Sequence, residues 1–113
     1  KKSDILSKWL TLEVGKPFAE GLAESNGSAD IFEWSSEEAK RIYGETLQGR
    51  SPDTKIHVYY QPVGVVAALV PWNFPILMGP WKLAPPVAPG NCSLLKPHQQ
   101  TPPTIKVITL NHV

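Results

Sequence analysis

The chain has 113 residues, of which 42% are hydrophobic and 19% charged, and its formal net charge at pH 7 is +1. These values are ordinary for one small globular domain, and the interspersed charges do not favour a nucleic-acid-binding protein. The longest nearly continuous apolar run, residues 63–72, is about half of the ~20 residues that a bilayer-spanning helix needs. We therefore expect no nucleic-acid partner and no membrane span.

Cysteine and histidine are too sparse to predict a metal site. Cys92 is the only cysteine, which excludes an intrachain disulfide and a thiolate-rich metal site and favours a reducing compartment. His57 and His112 have no second ligand at metal-binding spacing. The chain begins at Lys1 rather than Met and has no signal-peptide-like segment, so we expect it to be a fragment.

The first half of the chain is predicted to be helical. In "SSEEAKRIYG", Ser35 is a candidate N-cap because Glu38 follows at capping-box spacing, and Gly44 is a plausible stop. Ile31 and Trp34 continue the helical spacing upstream, so the helix is also compatible with a start before Ser35. Either way, the pattern is typical of an amphipathic packing helix.

The second half predicts strands around a crossover helix. A polar link, residues 46–54, precedes "KIHVYY", which alternates in the manner of a strand. "VVAALV" is continuously apolar, which favours a parallel strand covered on both faces, and "NCSLLKP" predicts a second such strand. The segment between them has the length of a crossover helix. The predicted fold class is α/β.

The crossover contains a local conflict, because several prolines lie within it. An interior proline costs a helix about 3 kcal/mol by removing a hydrogen bond and clashing with the preceding turn. The sequence therefore predicts either a broken helix or one supported by its surroundings. The prolines concerned are Pro80, Pro85, Pro86 and Pro89.

The end of the first apolar strand holds an amide in a constrained turn. In "PWNFP", Pro71 and Pro75 bracket Asn73, and "KPHQQTP" follows the next strand. Ligands of open α/β sheets bind beyond the carboxyl ends of the strands, and a rigidly held amide can donate to a developing oxyanion. An asparagine in a turn more often serves turn geometry, so the residues alone leave both interpretations open.

These motifs, in this order, resemble the NAD(P)-dependent aldehyde dehydrogenase superfamily. The resemblance rests on "PWNFP", "WKLAP…PGNCSLLKP" and "TP", and "LTLEVGKPFAE" is similar to a helical block of that family. "IFEWSSEEAKRIYGETL" is similar to the succinate-semialdehyde dehydrogenase branch, whereas "WKLAP" and "GNC" are more similar to the aminoaldehyde and betaine-aldehyde branches. The resemblance extends from about Leu10 to Pro102.

The resemblance implies a partial amino-terminal cofactor-binding domain of Rossmann-like fold over residues 1–113, with NAD or NADP as cofactor. Asn73 matches the family's oxyanion-stabilising asparagine. The strands in "KIHVYYQPVGV" are similar to a hairpin through which family members form dimers or tetramers, which implies a homo-oligomer. The residues that match the dinucleotide-binding segments are Val70, Pro71, Trp72 and Asn73, then Lys96, which matches the adenosine-ribose lysine, with Pro97, His98 and Gln99.

The family reaction oxidises an aldehyde to a carboxylic acid through a thiohemiacetal, hydride transfer and a thioester. In the family, the nucleophilic cysteine, the general-base glutamate and the glycine-containing phosphate loop follow later in the chain than these residues. Cys92 lies at the start of a predicted buried strand, so we expect it to be a structural thiol. The resemblance therefore implies that the 113-residue chain is inactive by itself.

Two other functions remain open on the sequence. One is a non-catalytic dinucleotide-binding or oligomerisation module derived from the same fold. The other is an interaction peptide, because "APPVAP" could form a polyproline segment for SH3-like partners. The sequence does not distinguish a cytosolic from a mitochondrial protein.

Overall fold

A computed structural model of the protein describes residues 2–104 and 106. The described residues form two helices followed by a short 3-10 helix (Ala39–Arg41), a β-hairpin, a parallel strand–helix–strand unit and a helical segment at residues 102–104, which confirms the predicted α/β class. None of the described helices is both long and apolar enough to cross a bilayer. The elements are α1 (Lys2–Val14), α2 (Phe18–Glu38), β1 (Glu45–Gln48), β2 (Lys55–Val58), β3 (Val65–Leu69), α3 (Pro75–Val87) and β4 (Cys92–Lys96).

Helices α1 and α2 form a closely packed antiparallel pair. Leu10 of α1 is fully buried. Gly21 allows the close approach, because a Cβ at this position would lie 3.2 Å from the Cα of Ser7. Gly15 ends α1 with a positive φ of 75°, and its N–H donates to the carbonyl oxygen of Thr11 at 3.1 Å.

The predicted N-cap at Ser35 is wrong, because α2 already begins at Phe18. Ser35 lies inside that helix and is buried. The alternative of an upstream start is confirmed. The capping-box spacing is not specific to a helix start, because a serine and a glutamate three residues apart also occur within a helix, as Ser35 and Glu38 do here.

The polar link contains a strand that the alternation rule did not predict. β1 pairs antiparallel with β2, with Thr46 opposite His57. The turn between the strands is fixed by the Gln48 side-chain amide, which donates to the carbonyl oxygens of Ser51, Pro52 and Thr54. β1 is exposed along its length, so it carries no buried apolar face that would produce an alternating pattern.

β3 and β4 pair in parallel, with Val65 opposite Cys92 and Leu69 opposite Lys96. α3 connects them and packs on one face, where Ala68 is 2% exposed. The prediction that both faces are covered is wrong for the described residues, because no second element packs on the other side. Val65, Leu69 and Leu94 are consequently exposed there.

Helix α3 forms in spite of its internal prolines, and Ser28 of α2 compensates for one of them. Pro80 has no N–H, so the carbonyl oxygen of Ile76, four residues earlier, loses its usual helical partner. The Ser28 hydroxyl lies 3.0 Å from this oxygen and 2.8 Å from the carbonyl oxygen of Glu24. Its single proton is shared between the two acceptors.

The remaining prolines of α3 lie where they cost less. Pro75 occupies the first turn, where its missing N–H has no intrahelical acceptor. Pro85 and Pro86 remove the N–H groups that would bond to the carbonyls of Trp81 and Lys82. Both of these residues are exposed, so water can bond to their carbonyls instead. Because residues 84–87 are helical, the polyproline interpretation of "APPVAP" is wrong.

Removing the hydroxyl of Ser28 tests this compensation. We expect Ser28→Ala to lower the free energy of unfolding by about 1–3 kcal/mol, because it leaves the buried Ile76 carbonyl unsatisfied. In a Pro80→Ala background the N–H of residue 80 can bond to that carbonyl, so the loss should be below about 1 kcal/mol.

The measurement is urea unfolding of the four proteins of this double-mutant cycle. Ser36→Ala is the matched control, because its hydroxyl bonds an exposed carbonyl on the same helix; we expect a change within about 0.5 kcal/mol. If Ser28→Ala lowered the free energy of unfolding equally with Pro80 and with Pro80→Ala, Ser28 would not be compensating for the proline.

Candidate active site

The predicted site residues meet at one edge of the parallel sheet. β3 and β4 end side by side, and the N–H of Val70 donates to the carbonyl oxygen of Lys96 at 3.1 Å. This bond ties the segment 70–74 to the segment 96–99. The edge lies beyond the carboxyl ends of both strands, where open α/β sheets bind their ligands.

Most side chains at this edge are available to a ligand. Val70 is 5% exposed and anchors the turn, whereas the Trp72 side chain is half exposed. Among the described residues, the side-chain amide of Asn73 has no hydrogen-bond partner, so its N–H groups are free to donate. The exposed residues are Trp72, Asn73, Lys96 and Gln99, and the half-buried ones are Pro71, Pro97 and His98.

The backbone of the Asn73 turn is held at several points, although the amide is free. The Lys16 ammonium donates to the carbonyl oxygen of Asn73 at 2.9 Å. The next carbonyl, of Phe74, accepts the N–H of Met78 at 2.9 Å. On the strand side, the ammonium of Lys82 donates to the carbonyl oxygen of Leu69. The turn therefore presents the amide from a constrained backbone.

A buried ion pair supports this turn from the helical pair. The ammonium of Lys16 lies 2.6 Å from Oε2 of Glu24, and the two side chains are 9% and 1% exposed. Oε1 of Glu24 accepts the N–H groups of Ile76 and Leu77, at 2.9 and 3.0 Å, and so caps α3. The same ammonium lies 3.7 Å from the centroid of the Phe74 ring, a cation–π contact.

Sequence reasoning did not identify Lys16 or Glu24. The two charges stand eight residues apart around the start of α2, a spacing that does not distinguish a buried pair from a solvated one. Glu24 reaches Ile76 across 52 residues of chain. Only a three-dimensional structure brings such partners together, because no local periodicity connects them.

A second carboxylate caps the helical segment that follows β4. Residues 102–104 are helical, and Oε2 of Glu13 accepts the N–H of Thr104 at 3.0 Å as well as its hydroxyl. The helix N-termini after β3 and β4 are thus both occupied by carboxylates of the helical pair. Such termini are common anion sites, and here the N–H groups of Ile76, Leu77 and Thr104 are already bound by these carboxylates.

The segment after β4 is shaped by His98. Its Nδ1 atom accepts the N–H of Gln100, and its carbonyl oxygen accepts the N–H of Thr101, both at 3.2 Å. The first of these bonds requires Nδ1 to be unprotonated. His98 therefore orders the loop, while Lys96 and Gln99 stay exposed.

The prediction that Cys92 is buried is wrong, because its thiol is exposed. It lies on the face of the parallel sheet that no other described element covers. Cys92 begins β4 and Lys96 ends it, a separation of about 13 Å at ~3.3 Å per residue. The thiol is therefore at the opposite end of the strand from the edge that carries Asn73.

The described part of the chain contains no cluster of three or more histidine, cysteine, aspartate or glutamate side chains able to hold a metal ion. The chemistry of the edge is that of hydrogen-bond donors and one cation. An amide on a constrained turn, a half-exposed indole and a lysine suit a neutral oxyanion donor beside a nucleotide-binding surface.

Comparison with known proteins identifies the family. The sequence profile of the aldehyde dehydrogenase family matches residues 1–111. The chain belongs to the aldehyde dehydrogenase family. It is 48% identical over 102 residues to glutarate-semialdehyde dehydrogenase of Pseudomonas aeruginosa, a match that covers 90% of this chain and 21% of that protein. It is 48% identical over 99 residues to succinate-semialdehyde dehydrogenase [NADP(+)] GabD of Escherichia coli, covering 88% of this chain and 20% of that protein.

Solved structures of similar sequence share the fold. An Escherichia coli NADP-dependent enzyme superposes with a TM-score of 0.92 at 44% identity, over 96% of this chain and 22% of that one. Betaine aldehyde dehydrogenase of Staphylococcus aureus, in complex with NAD+, gives a TM-score of 0.89 at 34% identity, over 97% and 22%. The chain thus spans about a fifth of the length of the relatives that it matches.

Proposed function

We propose that this chain is the amino-terminal part of the cofactor-binding domain of an NAD(P)-dependent aldehyde dehydrogenase, which oxidises an aldehyde to a carboxylic acid. The observation that carries the proposal is the free amide of Asn73, held on a fixed backbone at the carboxyl end of β3. Membership of the aldehyde dehydrogenase family supports it.

In this proposal Asn73 acts on the oxygen of the aldehyde. When a cysteine thiolate from elsewhere in the enzyme attacks the carbonyl carbon, negative charge develops on the oxygen. A pre-oriented amide N–H stabilises that charge more than it stabilises the ground-state carbonyl, and the difference lowers the barrier. NAD(P), when bound, supplies the hydride acceptor.

The residues at the edge fit a dinucleotide. Exposed Lys96 and Gln99 offer donors and an acceptor to the hydroxyl groups of the adenosine ribose, and Trp72 offers an apolar surface. Because both neighbouring helix N-termini are capped by carboxylates, the pyrophosphate would bind elsewhere. We assign Val70, Pro71, Trp72, Asn73, Lys96, Pro97, His98 and Gln99 to the cofactor surface.

For the substrate we propose an aliphatic aldehyde with a carboxylate at its other end. Two similar enzymes are named for such compounds, glutarate semialdehyde and succinate semialdehyde. We also propose a homo-oligomer that forms through the β1–β2 hairpin. The support is the exposure of large side chains in the hairpin (Leu47 and Ile56) and directly after it (Tyr59 and Tyr60).

The 113-residue chain alone should not oxidise aldehydes. It offers an oxyanion donor, but its one thiol lies at the far end of β4 from that donor. The assay is cofactor reduction at 340 nm with the purified chain, NAD or NADP, and succinate semialdehyde. Aldehyde-dependent reduction above a control without aldehyde would show that this expectation is wrong.

Removing the amide tests the role of Asn73 in the full-length enzyme, the polypeptide that joins this segment to the remainder of an aldehyde dehydrogenase. We expect Asn73→Ala to lower kcat by about 10²–10³-fold, as the loss of one oxyanion donor typically does, with little change in cofactor affinity. Asn26→Ala, at an exposed position of α2, is the control and should leave kcat unchanged. Near-normal turnover of Asn73→Ala, with the same chemical step rate-limiting, would refute the role.

Gln99 bears on the choice of cofactor. Its amide can accept from a ribose hydroxyl or donate to a 2′-phosphate, so we expect the full-length enzyme to use both NAD and NADP. Gln99→Glu should reduce kcat/KM for NADP relative to NAD by at least about tenfold, because a carboxylate repels the phosphate.

Asn26→Asp adds the same charge at an exposed position of α2 and is the control for general electrostatics. We expect it to leave the NADP/NAD ratio of kcat/KM within about twofold of the parent. A Gln99→Glu enzyme with an unchanged ratio would contradict the placement of this residue near the 2′ position.

A further inference from the structure

The buried pair of Lys16 and Glu24 holds the backbone from which Asn73 projects. The Lys16 ammonium is surrounded by a carboxylate oxygen at 2.6 Å, the Asn73 carbonyl oxygen at 2.9 Å and the Phe74 ring at 3.7 Å. Its side chain is only 9% exposed. An ammonium with three such neighbours has little freedom to move, so it acts as a fixed donor to the turn.

Glu24 fixes the other side of the same turn. Its Oε1 atom binds the N–H groups of Ile76 and Leu77, directly after Pro75. The ion pair therefore binds the backbone at two places, the carbonyl of residue 73 and the N–H groups of residues 76 and 77. Rotation of the 73–74 peptide would break the bond from Lys16, and a shift of α3 would break the bonds to Glu24.

We propose that Lys16 and Glu24 are positioning residues, which fix the backbone from which the Asn73 amide projects for oxyanion stabilisation. This inference rests on the proposed role of Asn73. Stabilisation by a pre-oriented donor depends steeply on geometry, and a misplacement of about 1 Å can cost about 10²-fold in rate. The pair touches the backbone of Asn73 rather than its side chain, so it acts through that residue.

A paired substitution separates positioning from stability. Removing one partner alone would leave an uncompensated buried charge and destabilise the fold. Lys16→Met together with Glu24→Gln removes both charges. The glutamine oxygen can still accept from Ile76 and Leu77, and the methionine keeps an apolar contact with Phe74. The carbonyl of Asn73 loses its donor, and the new glutamine NH2 group takes the place of the carboxylate oxygen that bound Lys16.

The experiment places this paired variant in the full-length enzyme, with Asn73 present and with Asn73→Ala. With Asn73 present, we expect kcat to fall by at least about tenfold while KM for aldehyde and cofactor changes by less than about threefold. With Asn73→Ala, the same pair should lower kcat by less than about twofold, because residues that act through one group are not additive.

The control is Lys40→Met with Glu37→Gln, the same two changes in an exposed ion pair between α2 and the short 3-10 helix that follows it. It should leave kcat and the melting temperature unchanged. Lys16→Arg is the second test variant, for use if the paired variant does not fold. It keeps the charge beside Glu24, but a planar guanidinium cannot replace the ammonium at all three neighbours, so kcat should again fall only when Asn73 is present.

The outcomes distinguish the two proposals. An equal fall in kcat with and without Asn73 would overturn the positioning role and leave Asn73 as the oxyanion donor. Near-normal kcat in Asn73→Ala would overturn the proposed function and the positioning role together. A fall confined to the enzymes with Asn73, at nearly constant KM, would support the inference.

Discussion

The carboxylate of Glu24 joins the parts of this molecule that contain the candidate site. It is almost fully buried, and the desolvation of a carboxylate costs several kcal/mol unless hydrogen bonds and a counter-charge offset it. Here two backbone N–H groups and the ammonium of Lys16 supply that compensation. Because α3 also covers the parallel sheet, the helical pair, the Asn73 turn and the sheet are held in one arrangement.

A carboxylate of the helical pair caps a helical segment at two places beside the sheet edge. Glu13 and Glu24 both place a carboxylate at the start of a helix that follows a parallel strand. In many nucleotide-binding folds such a helix start attracts phosphate through its positive dipole end. Here Glu24 accepts from the N–H groups of Ile76 and Leu77, and Glu13 from that of Thr104, so these backbone donors are already occupied.

The features that the sequence predicted correctly depend on residues close together in the chain. Continuous apolar runs and the crossover length predict the strand–helix–strand unit, and the end of the first run places Asn73 shortly after β3. The failures have physical reasons: β1 has no buried face, Ser35 lies within a helix, and Cys92 faces a side that nothing described covers. The sequence did not predict the roles of Lys16 and Glu24, because the backbone groups that they bind lie more than 50 residues away in the chain.

The pairing of Ser28 with Pro80 constrains the order in which such a sequence can arise. A proline at position 80 deletes a backbone donor, and the hydroxyl of Ser28 is what reaches the orphaned Ile76 carbonyl. A lineage that acquired the proline first would pass through an intermediate with an unsatisfied buried acceptor, whereas serine first is tolerated, because it can bond within its own helix. Once proline is present, serine can no longer be exchanged freely, so position 28 should tolerate fewer replacements than its small size suggests.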